Sequence, residues 1–172
     1  MDARDDSDKA AERGGEQLKE AMELFREAYQ HQMRGDLEEA IALYTRSIEK
    51  FPTAEGYTFR GWTYSFLGRT EDAIAECMKA IEVDPSFGNP YNDIGAYLVE
   101  QDRLDEAIPW FERALEARRY ESYCFPHFNL GRVYERKRMF ARALESYRRA
   151  LEEEPRHIGA RRAVGRLRGM FN

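Results

Sequence analysis

The chain has 172 residues, 42% hydrophobic, 34% charged and 13% aromatic, with a formal net charge of -5. That is enough apolar material for an ordered core, and no run approaches the roughly 20 apolar residues of a membrane-spanning helix, so membrane insertion is excluded as an expectation. Cys77 and Cys124 are too few for a disulfide framework, and the acidic first ten residues lack the basic-then-apolar order of a secretory signal, which predicts a cytoplasmic protein.

In chain order, residues 1–16 are charged and poor in large apolar groups, and they end near Gly14-Gly15, which predicts a flexible tail or a frayed helix. A helical period starts near Gln17, with Leu18, Met22, Leu24, Phe25, Ala28 and Tyr29 on one broad side. Gly35-Asp36 interrupts it. A second stripe of Leu37, Ala40, Ile41, Tyr44 and Ile48 follows and stops at Phe51-Pro52. Three further units of two helices are expected over 54–87, 88–123 and 124–157, with a last amphipathic piece over 158–170. Asn89-Pro90 predicts a helix start with Asn as the cap.

Small residues set the period. Ala28, Gly61, Gly95, Gly131 and Gly165 recur at intervals of 33, 34, 36 and 34, and Ala40, Ala73, Ala107 and Ala143 at 33, 34 and 36. Small side chains at fixed places let two helices approach closely. A column of Tyr44, Cys77, Phe111 and Tyr147 runs beside them, so Cys77 reads as a small buried hydrophobe. Two features depart from regularity. Two extra residues lie near 118–123, and Pro109, inside a predicted helix, is expected to kink it near Asp105.

A period near 34 with Leu130-Gly131, Tyr134, Ala143, Tyr147, Ala150 and Pro155 in the fourth unit, and Tyr57, Gly61, Tyr64, Ala73, Ala80 and Pro85 in the second, resembles the tetratricopeptide repeat. The first unit is weaker, with Leu24, Ala28 and His31 at its key places, and the third has Arg119 where the proline is expected. The resemblance covers residues from about 21 to 168. It implies an all-α fold, an α-solenoid of stacked antiparallel helix pairs in a right-handed superhelix with a concave inner surface. The arginine-rich piece at 158–170 then serves as a capping helix, one face covering the last repeat and the other wet.

Catalytic constellations are missing. His31, His127 and His157 are scattered, and neither a phosphate-binding glycine loop nor a metal-ligand spacing is present, so no enzyme activity, cofactor or metal is expected. Nucleic acid is disfavoured by the overall acidity and the lack of interleaved stacking residues. The charge is divided along the chain: residues 1–112 carry 12 basic and 25 acidic side chains, residues 113–172 carry 15 and 7. Solvated helix faces that have drifted apart in charge explain this as well as an acidic partner or head-to-tail self-association does.

The concave face implied by the repeat carries Met22, Phe25, Tyr29 and Met33 from the first unit, and Trp62 and Phe66 from the second. Asn89, Asn92 and Ala96 follow from the third unit. Phe125, Phe128, Arg132 and Arg136 come from the fourth, with Arg162 and Arg166 from the cap. Aromatic and arginine side chains often carry interface energy, and asparagine amides can bond an extended backbone. This lining predicts an adaptor that holds a peptide or helix of a partner protein with apolar anchors and an acidic group. The competing expectation is that Phe25, Tyr29 and Trp62 only fill the inside of the superhelix, or that the N-terminal tail covers them. Phe25, Tyr29, Phe59 and Asp93 stand where the family's carboxylate-clamping co-chaperones carry Lys, Arg and Asn, so that clamp is not expected. The alternative is a scaffold that stacks head-to-tail as a homo-oligomer.

Overall fold

The computed structural model describes the backbone of residues 3–170 and the side chains of residues 12–170, all of it helix and connecting turns apart from one isolated bridge. Two units are each described separately: Met1–Asp84 and Pro85–Asn172. The first holds α1 (Ala3–Arg34), α2 (Leu37–Lys50), α3 (Ala54–Phe66) and α4 (Thr70–Val83). The second holds α5 (Asn89–Glu100), α6 (Leu104–Glu116), α7 (Cys124–Arg136), α8 (Phe140–Glu153) and α9 (Ile158–Gly169). Within each unit every helix packs on its successor, giving stacked antiparallel pairs.

The helix pairs share one turn. The amides of Asp36, Arg69, Arg103 and Met139 bond the carbonyls of His31, Tyr64, Leu98 and Tyr134 at 2.8 to 3.0 Å, and the residue before each bonds the carbonyl three back. This is the Schellman arrangement, and it needs a left-handed residue just past the helix. Gly35 and Gly68 supply it at φ 88 and 71; Asp102 and Arg138 adopt φ 62 and 60 without glycine's freedom. Every second helix then starts two residues on, which sets the period.

The core is built from a small residue on one helix beneath a larger one on the next. Ala28 meets Tyr44 in a buried cluster with Ala40 and Leu43. A Cβ on Gly95 would stand 2.6 Å from the Phe111 ring, and one on Gly131 2.5 Å from the Tyr147 ring, so only glycine admits those rings. At Gly61 no ring is near: a built Cβ would meet the Ala73 carbonyl oxygen at 3.0 Å and the Glu76 Cβ at 3.1 Å, while Cys77, in the column of large residues, is small and fully buried.

Several expectations change. Helix α1 starts at Ala3, earlier than the period read near Gln17, and the described part of residues 1–16 is helix, the second of the two forms expected there; strong helix formers on both sides carry it through Gly14-Gly15. The N-cap of α5 is Gly88, not Asn89. Residues 117–123 fold back as a strap: Arg119 N bonds Ser86 O at 2.9 Å, Gly88 N bonds Arg119 O at 3.1 Å, and the Arg119 guanidinium lies over the Phe87 ring. Tyr120 presses so closely on Gly88 that a Cβ there would be 2.5 Å from it. This contact, distant in sequence, fixes where α5 begins. Helix α6 runs unbroken from Leu104 to Glu116 with the exposed Pro109 inside it, and the Asp105 carbonyl that loses its donor lies on an exposed residue. Gly165 does not continue the small column: it is exposed, with nothing within 4 Å of a built Cβ, because no helix follows α9 among the described residues. Ala160, Ala163, Val164 and Leu167 bury α9 instead.

Candidate functional site

In the first unit the rings named from sequence form a ladder. Phe25 is drawn inward against Tyr44 and Phe59, with ring centroids 5.4 and 5.1 Å away. Phe59 continues to Tyr29 at 5.8 Å and Trp62 at 5.7 Å, and Trp62 to Phe66 at 5.2 Å. The outer members stay in solvent: Tyr29 is 39% exposed, Trp62 36%, Phe66 54% and the nearby Met33 62%. Phe25 and Phe59 are both half-buried, packed on the cluster around Tyr44. Phe59, read from sequence only as a residue standing at a clamp place, joins the ladder; its spacing of three from Trp62 and seven from Phe66 on one helix was the available signal.

The second unit is polar at the corresponding places. Asn129 Nδ2 donates to Asn92 Oδ1 at 3.1 Å, joining α7 to α5, and Arg132 Nη1 donates to Asn129 Oδ1 at 3.4 Å. Asn89 is half-buried beside the strap, with Phe87, Arg119 and Ser122 around a hollow of about 300 Å³. Phe125 is exposed and Phe128 half-buried; Phe128 packs on Tyr147 at 5.5 Å and His157 at 4.6 Å. Arg136 is already engaged, its guanidinium donating to Val99 O at 2.8 Å and Asp102 Oδ1 at 2.6 Å. Arg166 is engaged too, holding Glu135 at 2.6 Å through Oε1 and 2.8 Å through Oε2. Arg132 and Arg162 are exposed.

Glu135, absent from the sequence expectation, is the hub of this end. Tyr147 Oη donates to its Oε2 at 2.8 Å, and Arg166 takes the rest. Burial pushes the Glu135 carboxyl up, but these donors outweigh it and leave it below the usual carboxylate range. Phe128, Arg132, Glu135, Arg136, Tyr147 and Arg166, with Gly159 and Ala163, line a hollow of about 310 Å³ between α7, α8 and α9.

On the opposite faces lies a second contrast. Between α2 and α4, Arg60 bonds Glu76 Oε2 at 2.7 Å and Thr45 Oγ1 at 2.9 Å, and Lys79 bonds Glu76 Oε1 at 2.8 Å. Between α6 and α8, Leu130 and Ser146 occupy the matching places, and a hollow of about 470 Å³ opens there, lined also by His127, Tyr134 and Arg142. Burial holds the His127 imidazole below its ordinary pKa. Among the described residues no group of three or more His, Cys, Asp or Glu is placed to hold a metal.

Paired helices with a repeated turn and small-on-large contacts define an α-helical repeat domain. The tetratricopeptide repeat description matches residues 24–54, 54–87 and 87–152, and the chain belongs to that family. Among curated relatives, Small glutamine-rich tetratricopeptide repeat-containing protein 2 of Mycosarcoma maydis is 30% identical over 102 residues, 59% of this chain and 29% of the relative. The chain spans less than a third of the length of the curated relatives it matches. In fold it is similar to pilF of Pseudomonas aeruginosa, with TM-score 0.82, 20% identity, 88% of this chain and 68% of that chain covered. It is also similar to YrrB, described as a TPR protein with an unusual peptide-binding site, with TM-score 0.65, 23% identity, and 87% and 77% covered. The family places the chain among protein–protein interaction domains.

Proposed function

We propose that the chain is an adaptor whose first unit holds an apolar segment of a partner protein against the ridge of Tyr29, Phe59, Trp62 and Phe66, with Met33 at its edge. The observation that carries this is the continuity of the ladder: four linked rings, three of them open to solvent, on a domain that is otherwise heavily charged. Rings that only filled the interior would be covered, as Tyr44 is. Residues 1–84 carry 19 acidic and 11 basic side chains, so basic residues beside the partner's apolar anchors fit this end. A peptide-binding description attaches to YrrB and supports the same kind of ligand here. The aqueous compartment of the partner is the cytoplasm in this reading.

The test is selection from a random peptide library displayed on phage, using the full chain. Enriched peptides should carry aromatic or aliphatic anchors and should lose binding to a Trp62→Ala/Phe66→Ala variant of unchanged far-UV circular dichroism. Equal binding to that variant would remove the ridge from the mechanism.

The charge distribution favours a second reading, head-to-tail self-association. Helix α9 carries Arg161, Arg162, Arg166 and Arg168 and no acidic residue, while the first unit is acidic. Light scattering at low and high salt checks it, and a monomer at both ends it.

A further inference from the structure

The first and last helix pairs contain the same internal contact. Tyr44 Oη donates to Gln32 Oε1 at 2.7 Å, and Tyr147 Oη donates to Glu135 Oε2 at 2.8 Å, twelve residues apart in both cases. This contact aligns α1 and α2 with α7 and α8, 103 residues on, and the helix starts Ala54 and Ile158, 104 apart, align α3 with α9. Where the first has Tyr29, Phe59 and Trp62, the last has Arg132, Ala163 and Arg166. Phe59 fills its neighbourhood with a ring; Ala163 does not, and the hollow of about 310 Å³ remains. Gly159 keeps it open from the other side, since a Cβ there would come within 2.9 Å of Phe128.

We infer that this hollow is a carboxylate-binding site for an acidic side chain of a partner protein segment, with Arg132 and Arg166 as its donors. Three arginines face one carboxylate at the hollow. The carboxylate, Glu135, is saturated by Arg166 and the Tyr147 hydroxyl, so it offers little to an incoming cation. Arg136 is held by Asp102 and the Val99 carbonyl. Arg132 is exposed, and its 3.4 Å bond to a neutral amide is weak beside the bond a carboxylate would accept. Phe128 and Tyr147 give the floor apolar area for the methylenes of a glutamate or aspartate. Glu135 acts as an internal competitor, sharing Arg166 with the ligand and repelling it, which keeps the affinity modest. The inference rests on the partner-binding reading only in taking the ligand to be a protein segment; it uses no residue of the ridge.

The experiment is a titration of the full chain followed through the Nε–Hε NMR signals of its arginines. The probes are acetyl-Phe-Glu-Glu amide, the neutral acetyl-Phe-Gln-Gln amide, and inorganic phosphate. The acidic tripeptide should shift the Arg132 and Arg166 signals saturably and bind roughly tenfold or more tightly than the neutral one. Arg132→Ala should weaken it by a similar factor, whereas Glu135→Gln should tighten it about two- to fivefold. Trp62→Ala/Phe66→Ala should leave the titration unchanged, so failure of the ridge and failure of this site read out separately. Equal binding of both tripeptides, the same response to phosphate, or no response to Arg132→Ala would overturn the inference.

Discussion

The neighbourhoods around residues 25–62 and 128–166 are one structural place built twice, and they differ in chemistry rather than in backbone. Each has a Tyr hydroxyl on a side-chain oxygen twelve residues earlier. The first surrounds it with rings, the last with arginines and two small residues. The opposite faces diverge as well: a nearly buried Arg60–Glu76 pair in the first unit against Leu130 and Ser146 in the second. A repeat scaffold thus conserves only what closes the turn and lets helices approach, leaving the remaining positions free to specify partners.

The largest expected effect breaks the second contrast. Glu76→Ala leaves Arg60, whose side chain is 11% exposed, without its carboxylate and with only the neutral Thr45 hydroxyl to bond, and should destabilise by about 3–5 kcal/mol in urea unfolding. Ser146→Ala, at the matching place, should cost about 1 kcal/mol or less, since its hydroxyl only bonds Arg142 O within its own helix. Similar losses for the two would deny that the faces differ.

The next effect sharpens the packing rule. Gly131→Ala forces a Cβ into the Tyr147 ring and should cost about 1–3 kcal/mol. Gly165→Ala, facing open space on a helix, should gain about 0.5–1 kcal/mol. Thermal melts of both variants decide whether the column truly ends before α9.

A pH dependence belongs to the second unit. Burial pushes the Asp93 carboxyl up to about 7, against an opposing hydrogen bond from Asn92. A folded pKa above the unfolded value means the neutral form is favoured, so this contribution is present below about pH 4 and is lost as pH rises through 7. Asp93→Asn should melt above the parent at pH 8, with the gap closing toward pH 4. The smallest effect is at the turns: Arg138→Gly removes a left-handed arginine and should stabilise by up to about 1 kcal/mol, offset in part by the freer unfolded chain.

Much of the fold was legible because its determinants are local and periodic. The columns of Ala, Gly and large rings recur with the turn, and helices α3, α5, α7 and α9 begin at 54, 89, 124 and 158. The misreadings concern contacts between distant residues. Asn89 lost the cap to Gly88 because Tyr120 and Arg119 hold that glycine, and Gly165 left its column because the array stops. In the candidate surfaces, the exposed Trp62, Phe66 and Met33 were readable from helical spacing. The pairing of Arg166 with Glu135 and the packing of Phe25 on Tyr44 were not, since both depend on which neighbour reaches across from another helix.

The central claim is that the Trp62 ridge is covered by a partner segment. Trp62 and Trp110 are the two tryptophans of the chain, so a Trp110→Phe variant reports on Trp62 alone. Its emission should shift to the blue as a library-selected peptide saturates, because an indole 36% exposed to water becomes desolvated. An unchanged spectrum at saturation, with the peptide demonstrably bound, would contradict the account.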